Sequence, residues 1–264
     1  MIDRYTLTRG TSPLIISMPH SGVELGPFAA LMTDTARLNT DCDWHLPRLY
    51  SFLPALGATV LQANYSRYVV DLNRDPSGKS LYAGQNVTEL CPTTTFDEAP
   101  IYEKGRAPNS DEVLDRVDAY WMPYHDALNA EIQRVRNQFG YALLWDAHSI
   151  RSQVPRFFEG HLPDFNIGTN EGKSCAASLA ESVVDAIGQN TSYSSVHNGR
   201  FKGGYITRQY GQPERGVHAV QLELSQTTYM DENYPYAFLP EKAKAVRPVI
   251  LAALEAMLNW QPHS

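Results

Sequence analysis

Short runs of apolar residues alternate along the chain with longer stretches in which apolar residues recur every three or four positions. The first pattern predicts buried strands and the second amphipathic helices; their alternation predicts an α/β layer fold. Strands are expected at Leu14–Met18, Ala58–Ala63, Tyr68–Leu72, Tyr141–Ala147 and Val217–Leu224, with YALLWDA at 141–147 the clearest central one. The longest helix is expected over Asp111–Phe139, where Val113, Val117, Tyr124, Leu128, Ile132 and Val135 share one stripe. Ser110 is placed to cap it, and Asp111 and Glu112 suit its positive end. Pro123 predicts a break or kink inside it. Further helices are expected at Gly172–Ile187 and Glu241–Trp260, the latter containing Pro248. Two segments show no periodicity, Asp75–Asn109 and Gly199–Gly216, and long excursions of this kind are often functional.

Composition narrows the picture. The 264 residues show no linker, charge run or repeat, so one domain over 1–264 is expected. Apolar residues make up 43% and charged residues 19%, which marks a globular chain. With 22 Lys and Arg against 29 Asp and Glu, the net charge of -7 argues against a general nucleic-acid binder. Cys42, Cys91 and Cys175 are an odd, widely spaced set without CxxC, so neither a disulfide framework nor a cysteine zinc site is expected. No apolar run approaches the ~20 residues of a membrane span, and the N-terminus lacks a signal-like core. A cytoplasmic protein without membrane or nucleic-acid partners is the expectation; oligomeric state is not readable.

Chemistry in open α/β sheets collects beyond the carboxyl ends of the strands. Four expected strand ends deliver His20 (MPHSG), His148 (WDAHS), Glu223 (QLELS) and the pair Asn73-Arg74 (DLNRDP). Two imidazoles at equivalent places suggest metal ligation, although no HExxH or HxxxH motif is present. A third ligand is open between Asp41, Asp43 and His45 of DCDWH and Glu24, four residues after His20. There is no GxSxG elbow and no GxGxxG fingerprint. His125, beside the apolar stripe of its helix, reads as a core histidine.

The segments MPHSG, TDCDWHLPRLY, YSRYVVDLNRDP, LYAG, WMPYHD, YALLWDAHSIRS, LPDFNIGTN, NGRFKGGYITRQYG and HAVQLELSQTTYM together resemble the N-formylglutamate amidohydrolase (deformylase) family, from about Pro19 to Met230. The family is more distantly similar to zinc carboxypeptidases and to the aspartoacylase and succinylglutamate desuccinylase group. The resemblance implies a three-layer αβα sandwich with a central mixed sheet, of the zinc-carboxypeptidase-like (phosphorylase/hydrolase-like) kind. It implies hydrolysis of N-formyl-L-glutamate to formate and L-glutamate in histidine degradation. His20, Asp43 and His148 are then the metal ligands, with Zn2+ as the metal. The HxxE spacing of carboxypeptidases is absent here, since Val23 stands at that offset, and Asp43 is preferred to Glu24. Glu223 is the implied general base. Asn73 and Arg74 would hold one substrate carboxylate, and Arg67 would serve as oxyanion donor or second anion site. Arg151, Arg200 and Arg208 are the other candidates for a second carboxylate. Gly203-Gly204-Tyr205 is expected to form a mobile loop over the site. Rival readings are an amidohydrolase for N-acetyl or N-succinyl acidic amino acids, or an inactive binding protein.

Overall fold

The structure is a computed structural model that describes residues 2–79 and 87–262. The LYAG segment at 81–84 lies outside the described residues. The strands are β1 (Tyr5–Thr8), β2 (Leu14–Met18), β3 (Thr59–Ala63), β4 (Ala142–Ile150), β5 (Phe165–Gly168), β6 (Ser195–His197) and β7 (Val217–Ser225). The helices are α1 (Asp34–Arg37), α2 (Leu46–Leu49), α3 (Ser110–Arg116), α4 (Met122–Phe139), α5 (Ala177–Gly188), α6 (Tyr205–Tyr210) and α7 (Pro240–Asn259). All seven strands form one mixed sheet in the order β1-β3-β2-β4-β7-β5-β6. β2, β3, β4 and β7 run parallel, whereas β1 pairs with β3 and β5 pairs with β7 in antiparallel fashion.

Helices cover both faces. One core joins Leu143 and Trp145 of β4 and Leu222 of β7 to α2, α5 and α7. The other joins Ala142, Leu144, Val217 and Ala219 to Leu128, Ile132 and Val135 of α4. β4 and β7 are buried along their whole length because each has strand neighbours on both sides and cover on both faces. Tyr124 ends the apolar contact of α4: its hydroxyl lies 3.0 Å from Ser17 Oγ and 3.2 Å from Leu61 O.

The expected long helix is interrupted. A π-turn at Val117–Trp121 separates α3 from α4, and Pro123 enters at the first turn of α4, where no N–H is needed. Asn109 rather than Ser110 is the cap, in a reciprocal capping box with Glu112. Gly140 closes α4 at φ 84°, a left-handed conformation that favours glycine. Pro248 sits inside α7 without ending it.

Tyr68–Leu72 is not a strand. Val69 N donates to Ser66 O and Arg74 N to Asp71 O across turns, and the segment's single long-range backbone bond among the described residues, Asp71 N to Leu90 O at 2.7 Å, starts no ladder. Its apolar residues are buried because they point into two different clusters, Tyr68 into one and Val70 with Leu72 into the other. Short apolar runs satisfy burial in turns as well as in strands, so the pattern alone misleads here.

Candidate active site

One face of β4 and β7 changes character along its length. Ala142 and Leu144 give way to Asp146 and His148 on β4; Val217 and Ala219 give way to Gln221 and Glu223 on β7. The parallel register sets Asp146 beside Gln221 and His148 beside Glu223. β2 contributes Ser17, in register with Asp146, and the turn after β2 carries His20.

His20, Asp43 and His148 converge. Their potential donor atoms lie within 4.8 Å of one another, and all three residues are buried. Asp43 Oδ2 is 3.3 Å from His148 Nδ1 and 4.0 Å from His20 Nδ1. The backbone fixes Asp43: its N–H donates to His20 O at 2.9 Å, and its carboxylate accepts from Ser149 N at 3.1 Å. Each imidazole turns its other nitrogen to a carboxylate. His20 Nε2 is 2.7 Å from Asp71 Oδ1, and His148 Nε2 is 3.1 Å from Asp146 Oδ1. Such an outer carboxylate orients a ligating histidine. The Nδ1 atoms therefore face the common point, which two imidazole nitrogens and one carboxylate oxygen could offer to a divalent cation.

The other ligand candidates lie elsewhere in role. Asp41 accepts from Tyr68 Oη at 2.7 Å and from Phe96 N at 2.8 Å. His45 faces Tyr236 O at 2.7 Å. Glu24 bridges to Tyr65 through its backbone and is not in the cluster.

Burial and charge act differently on each group. Burial and Arg67 keep His20 below the usual imidazole range against the pull of Asp71. Burial opposes a proton on His148 too, but Asp146 and Asp43 outweigh it and raise the ring well above that range. For Asp71, burial is outweighed by Arg67 and His20, which hold the carboxyl well below normal. Burial raises Glu223 far above the ordinary carboxylate range, helped by Asp43 and opposed by His148. Among the described residues, no side-chain hydrogen bond reaches the Glu223 carboxylate.

Glu223, His20 and His148 line a cavity of about 610 Å³, its open mouth included, together with Arg67, Arg74 and Arg200. Phe96, Ile150, Phe157 and Phe201 form its apolar walls. Arg67 is buried and donates to Asp71 Oδ2 at 2.6 Å, so its charge is already opposed. Arg74 donates to Thr88 through Nε and Nη2, at 3.1 and 3.0 Å, and Trp121 Nε1 donates to its carbonyl at 3.1 Å. Arg151 pairs with Asp97, and Arg208 donates to Gly203 O; neither lines this cavity.

Asn73 is more constrained than expected. Its Oδ1 accepts from Ile206 N at 2.8 Å, and its Nδ2 lies 3.0 Å from His148 Nε2. The Gly203-Gly204-Tyr205 segment is pinned rather than loose. Gly204 N donates to Gln221 Oε1 at 2.6 Å, a Cβ at Gly204 would collide with the Asn73 carboxamide, and Tyr205 begins α6. The two glycines permit close packing there, which composition alone cannot separate from mobility.

The sequence reading missed Asp71, Asp146 and Gln221. The spacing Asp146-x-His148 carried a signal, because residues two apart on a strand share a face. Gln221 and Glu223 stand in the same relation.

Comparison with known proteins gives concordant findings. The family model for N-formylglutamate amidohydrolase matches residues 12–230. N-formylglutamate deformylase of Pseudomonas aeruginosa is 53% identical over 261 residues, covering 98% of each chain. The Pseudomonas putida protein of the same name is 49% identical over 253 residues, covering 96% of this chain and 94% of that one. The crystal structure of N-formylglutamate amidohydrolase from Ralstonia eutropha superposes with a TM-score of 0.80 at 26% identity, over 97% of both chains.

Proposed function

This chain belongs to the N-formylglutamate amidohydrolase family, and we propose that it hydrolyses N-formyl-L-glutamate to formate and L-glutamate at the His20–Glu223 cavity, with a divalent metal, Zn2+ first, held by His20, Asp43 and His148. One observation carries the assignment of the site: the three convergent donors share a cavity with a buried carboxylate that has no hydrogen-bond partner among the described residues. The donor set fits such an ion, since His20 Nε2 is hydrogen-bonded to the buried Asp71 and His148 Nε2 lies 3.1 Å from the buried Asp146. When bound, a divalent cation supplies Lewis acidity that polarises a carbonyl and acidifies water.

The residues of the chain divide the remaining work. Glu223 takes the proton of the attacking water and returns it to the departing nitrogen. Its burial favours the protonated form, which suits the second of those transfers. Asp71 and Asp146 hold the imidazoles in place. Arg67, fixed by Asp71, points positive charge at the oxygen that becomes an anion in the transition state. Arg74 and Arg200 are the cavity cations for the two carboxylates of the substrate. The phenylalanine walls keep bulk water from the reacting bond. All three cysteines are free and buried, and no described helix is long and apolar enough to cross a membrane, which supports a reducing cytoplasmic setting.

The test is formate release from N-formyl-L-glutamate by the purified protein, before chelation, after it, and after Zn2+ is restored. Loss and recovery are expected. Activity that survives complete metal removal, confirmed by elemental analysis, would overturn the metal assignment. Faster hydrolysis of N-acetyl- or N-succinyl-glutamate, read as L-glutamate release, would move the assignment to those rivals. Binding of N-formylglutamate without turnover by the metal-loaded protein would identify an inactive binder. N-formylglutamine is expected to be poor, because it brings one carboxylate fewer to the half-buried cavity cations Arg74 and Arg200.

A further inference from the structure

We propose that Gln226 and Tyr229 are positioning residues for Asp43, holding the backbone carbonyl on each side of it so that its carboxylate meets the two imidazoles. The inference rests on the metal reading above and deepens it.

The turn after β7 brings two side chains to one loop. Ser225 ends the strand, and Gln226–Thr228 form a short 3-10 turn, with Tyr229 N donating to Gln226 O at 3.1 Å. Residues three apart in such a turn lie one above the other, so Gln226 and Tyr229 leave it on the same side. Both are buried. Gln226 Nε2 donates to Cys42 O at 3.0 Å, and Tyr229 Oη donates to Trp44 O at 2.8 Å. Those two carbonyls flank Asp43.

The chemistry of the groups fixes the proton directions. A carbonyl oxygen only accepts, so Tyr229 commits its one hydroxyl proton to Trp44 O. The Tyr229 oxygen is then left to accept from Ser149 Oγ, 2.7 Å away. The Gln226 NH2 has two protons. One serves Cys42 O and the other reaches Ser149 Oγ at 3.4 Å. Ser149 closes the circuit, because its backbone N–H donates to Asp43 Oδ2 at 3.1 Å. Asp43 is thereby restrained on both backbone sides and at its carboxylate. Ser149 directly follows His148, so the same contacts tie the carboxylate to one of the imidazoles. Glu223 stands three residues before Gln226, so one continuous segment carries the proposed base and steadies the third ligand. A site binds a cation best when its donors are already held in place. Without the two side chains Asp43 keeps its contacts with His20 O and Ser149 N, so metal binding should weaken rather than vanish.

Tyr229→Phe keeps the ring and removes only the hydroxyl; Gln226→Met keeps the length and removes the NH2. In each folded, metal-free variant, Zn2+ affinity by chelator competition should fall about three- to thirtyfold, less than the ~10- to 100-fold lost with a direct partner of a ligand. The Co2+ absorption spectrum, which reports ligand geometry, should change with it. In an Asp43→Ala background, adding Tyr229→Phe should alter Zn2+ affinity by less than about twofold, because the residue it positions is gone. Zn2+ affinity and a Co2+ spectrum like the parent's in both variants, with only urea stability lowered, would reduce the pair to core packing and overturn the proposal. An equal loss of affinity in the Asp43→Ala background would place the effect elsewhere and also overturn it. If the parent bound neither Zn2+ nor Co2+, the metal reading would fail by itself. Amide hydrogen exchange in the metal-free protein would still decide the role of the pair. Exchange at Asp43 and Ser149 that is selectively faster in Tyr229→Phe than elsewhere on β4 supports it, and unchanged protection overturns it.

Discussion

The two halves of the β4–β7 pair share strands, register and sheet face, yet one half is core and the other is chemistry. In the first half, Ala142, Leu144, Val217 and Ala219 meet the apolar stripe of α4. In the second, Asp146, His148, Gln221 and Glu223 meet a cavity, the Asn73 turn and α6. The change occurs level with Tyr124, where the helix contributes a hydroxyl to Ser17 instead of an alkyl surface. What lies over a strand, rather than the strand itself, therefore decides what its side chains can be. Under a close-packed helix only apolar groups are tolerated at low cost. Beside a polar turn and a cavity, Asp146 can be buried next to the His148 imidazole, and Glu223 opens onto the cavity.

That contrast can be broken at either half. The largest effect is expected from Glu223→Gln, which should lower kcat by about 10²- to 10⁴-fold while leaving bound metal unchanged by elemental analysis. Retained activity would remove Glu223 as the base. Leu144→Ala, on the packed half, should cost about 2–5 kcal/mol in urea unfolding. Its kcat/KM per folded molecule should stay within about twofold of the parent. A collapse of kcat in a folded Leu144→Ala protein would show that the halves are not separable. Asp71→Asn should weaken metal affinity by about 10- to 100-fold in chelator competition, because His20 loses its brace.

The smallest effect is one of pH. Asp146 and Asp43 outweigh the burial that opposes a proton on His148, so the metal-free ring holds a proton above the usual histidine range. Ligation requires that proton to leave, so metal affinity should fall as pH falls, by at most about tenfold per unit for each proton released. Titration calorimetry in two buffers of different ionisation enthalpy counts those protons. No buffer dependence would mean that His148 is already neutral.

Much of the site could be read from the chain because strand ends are visible in sequence. His20, His148 and Glu223 follow or close apolar runs, and the structure brings them to one cavity. The residues alone left Asp43 and Glu24 open. The geometry separates them, since Asp43 is carried to the cluster by its own N–H on His20 O and by Ser149 N, contacts that span loops of unreadable path. Asp71 and Asp146 serve side chains rather than substrate, and a carboxylate in such a role looks like any other acidic residue until its neighbours are known. β5 and β6 went unread because they span only Phe165–Gly168 and Ser195–His197, too short for a period to emerge. Tyr68–Leu72 failed for the opposite reason, a convincing run that bends.

The sheet order has a consequence in time. β7 is the last strand along the chain, yet it is seated between β4 and β5 rather than at an edge. A chain emerging from the ribosome has His20, Asp43 and His148 in hand, on or beside strands that are already neighbours, long before Glu223 appears. β4 must keep one flank open until its final partner slides in. The late strand brings Glu223, the proposed base, so a nascent or truncated chain could gather the proposed metal ligands while still lacking that carboxylate.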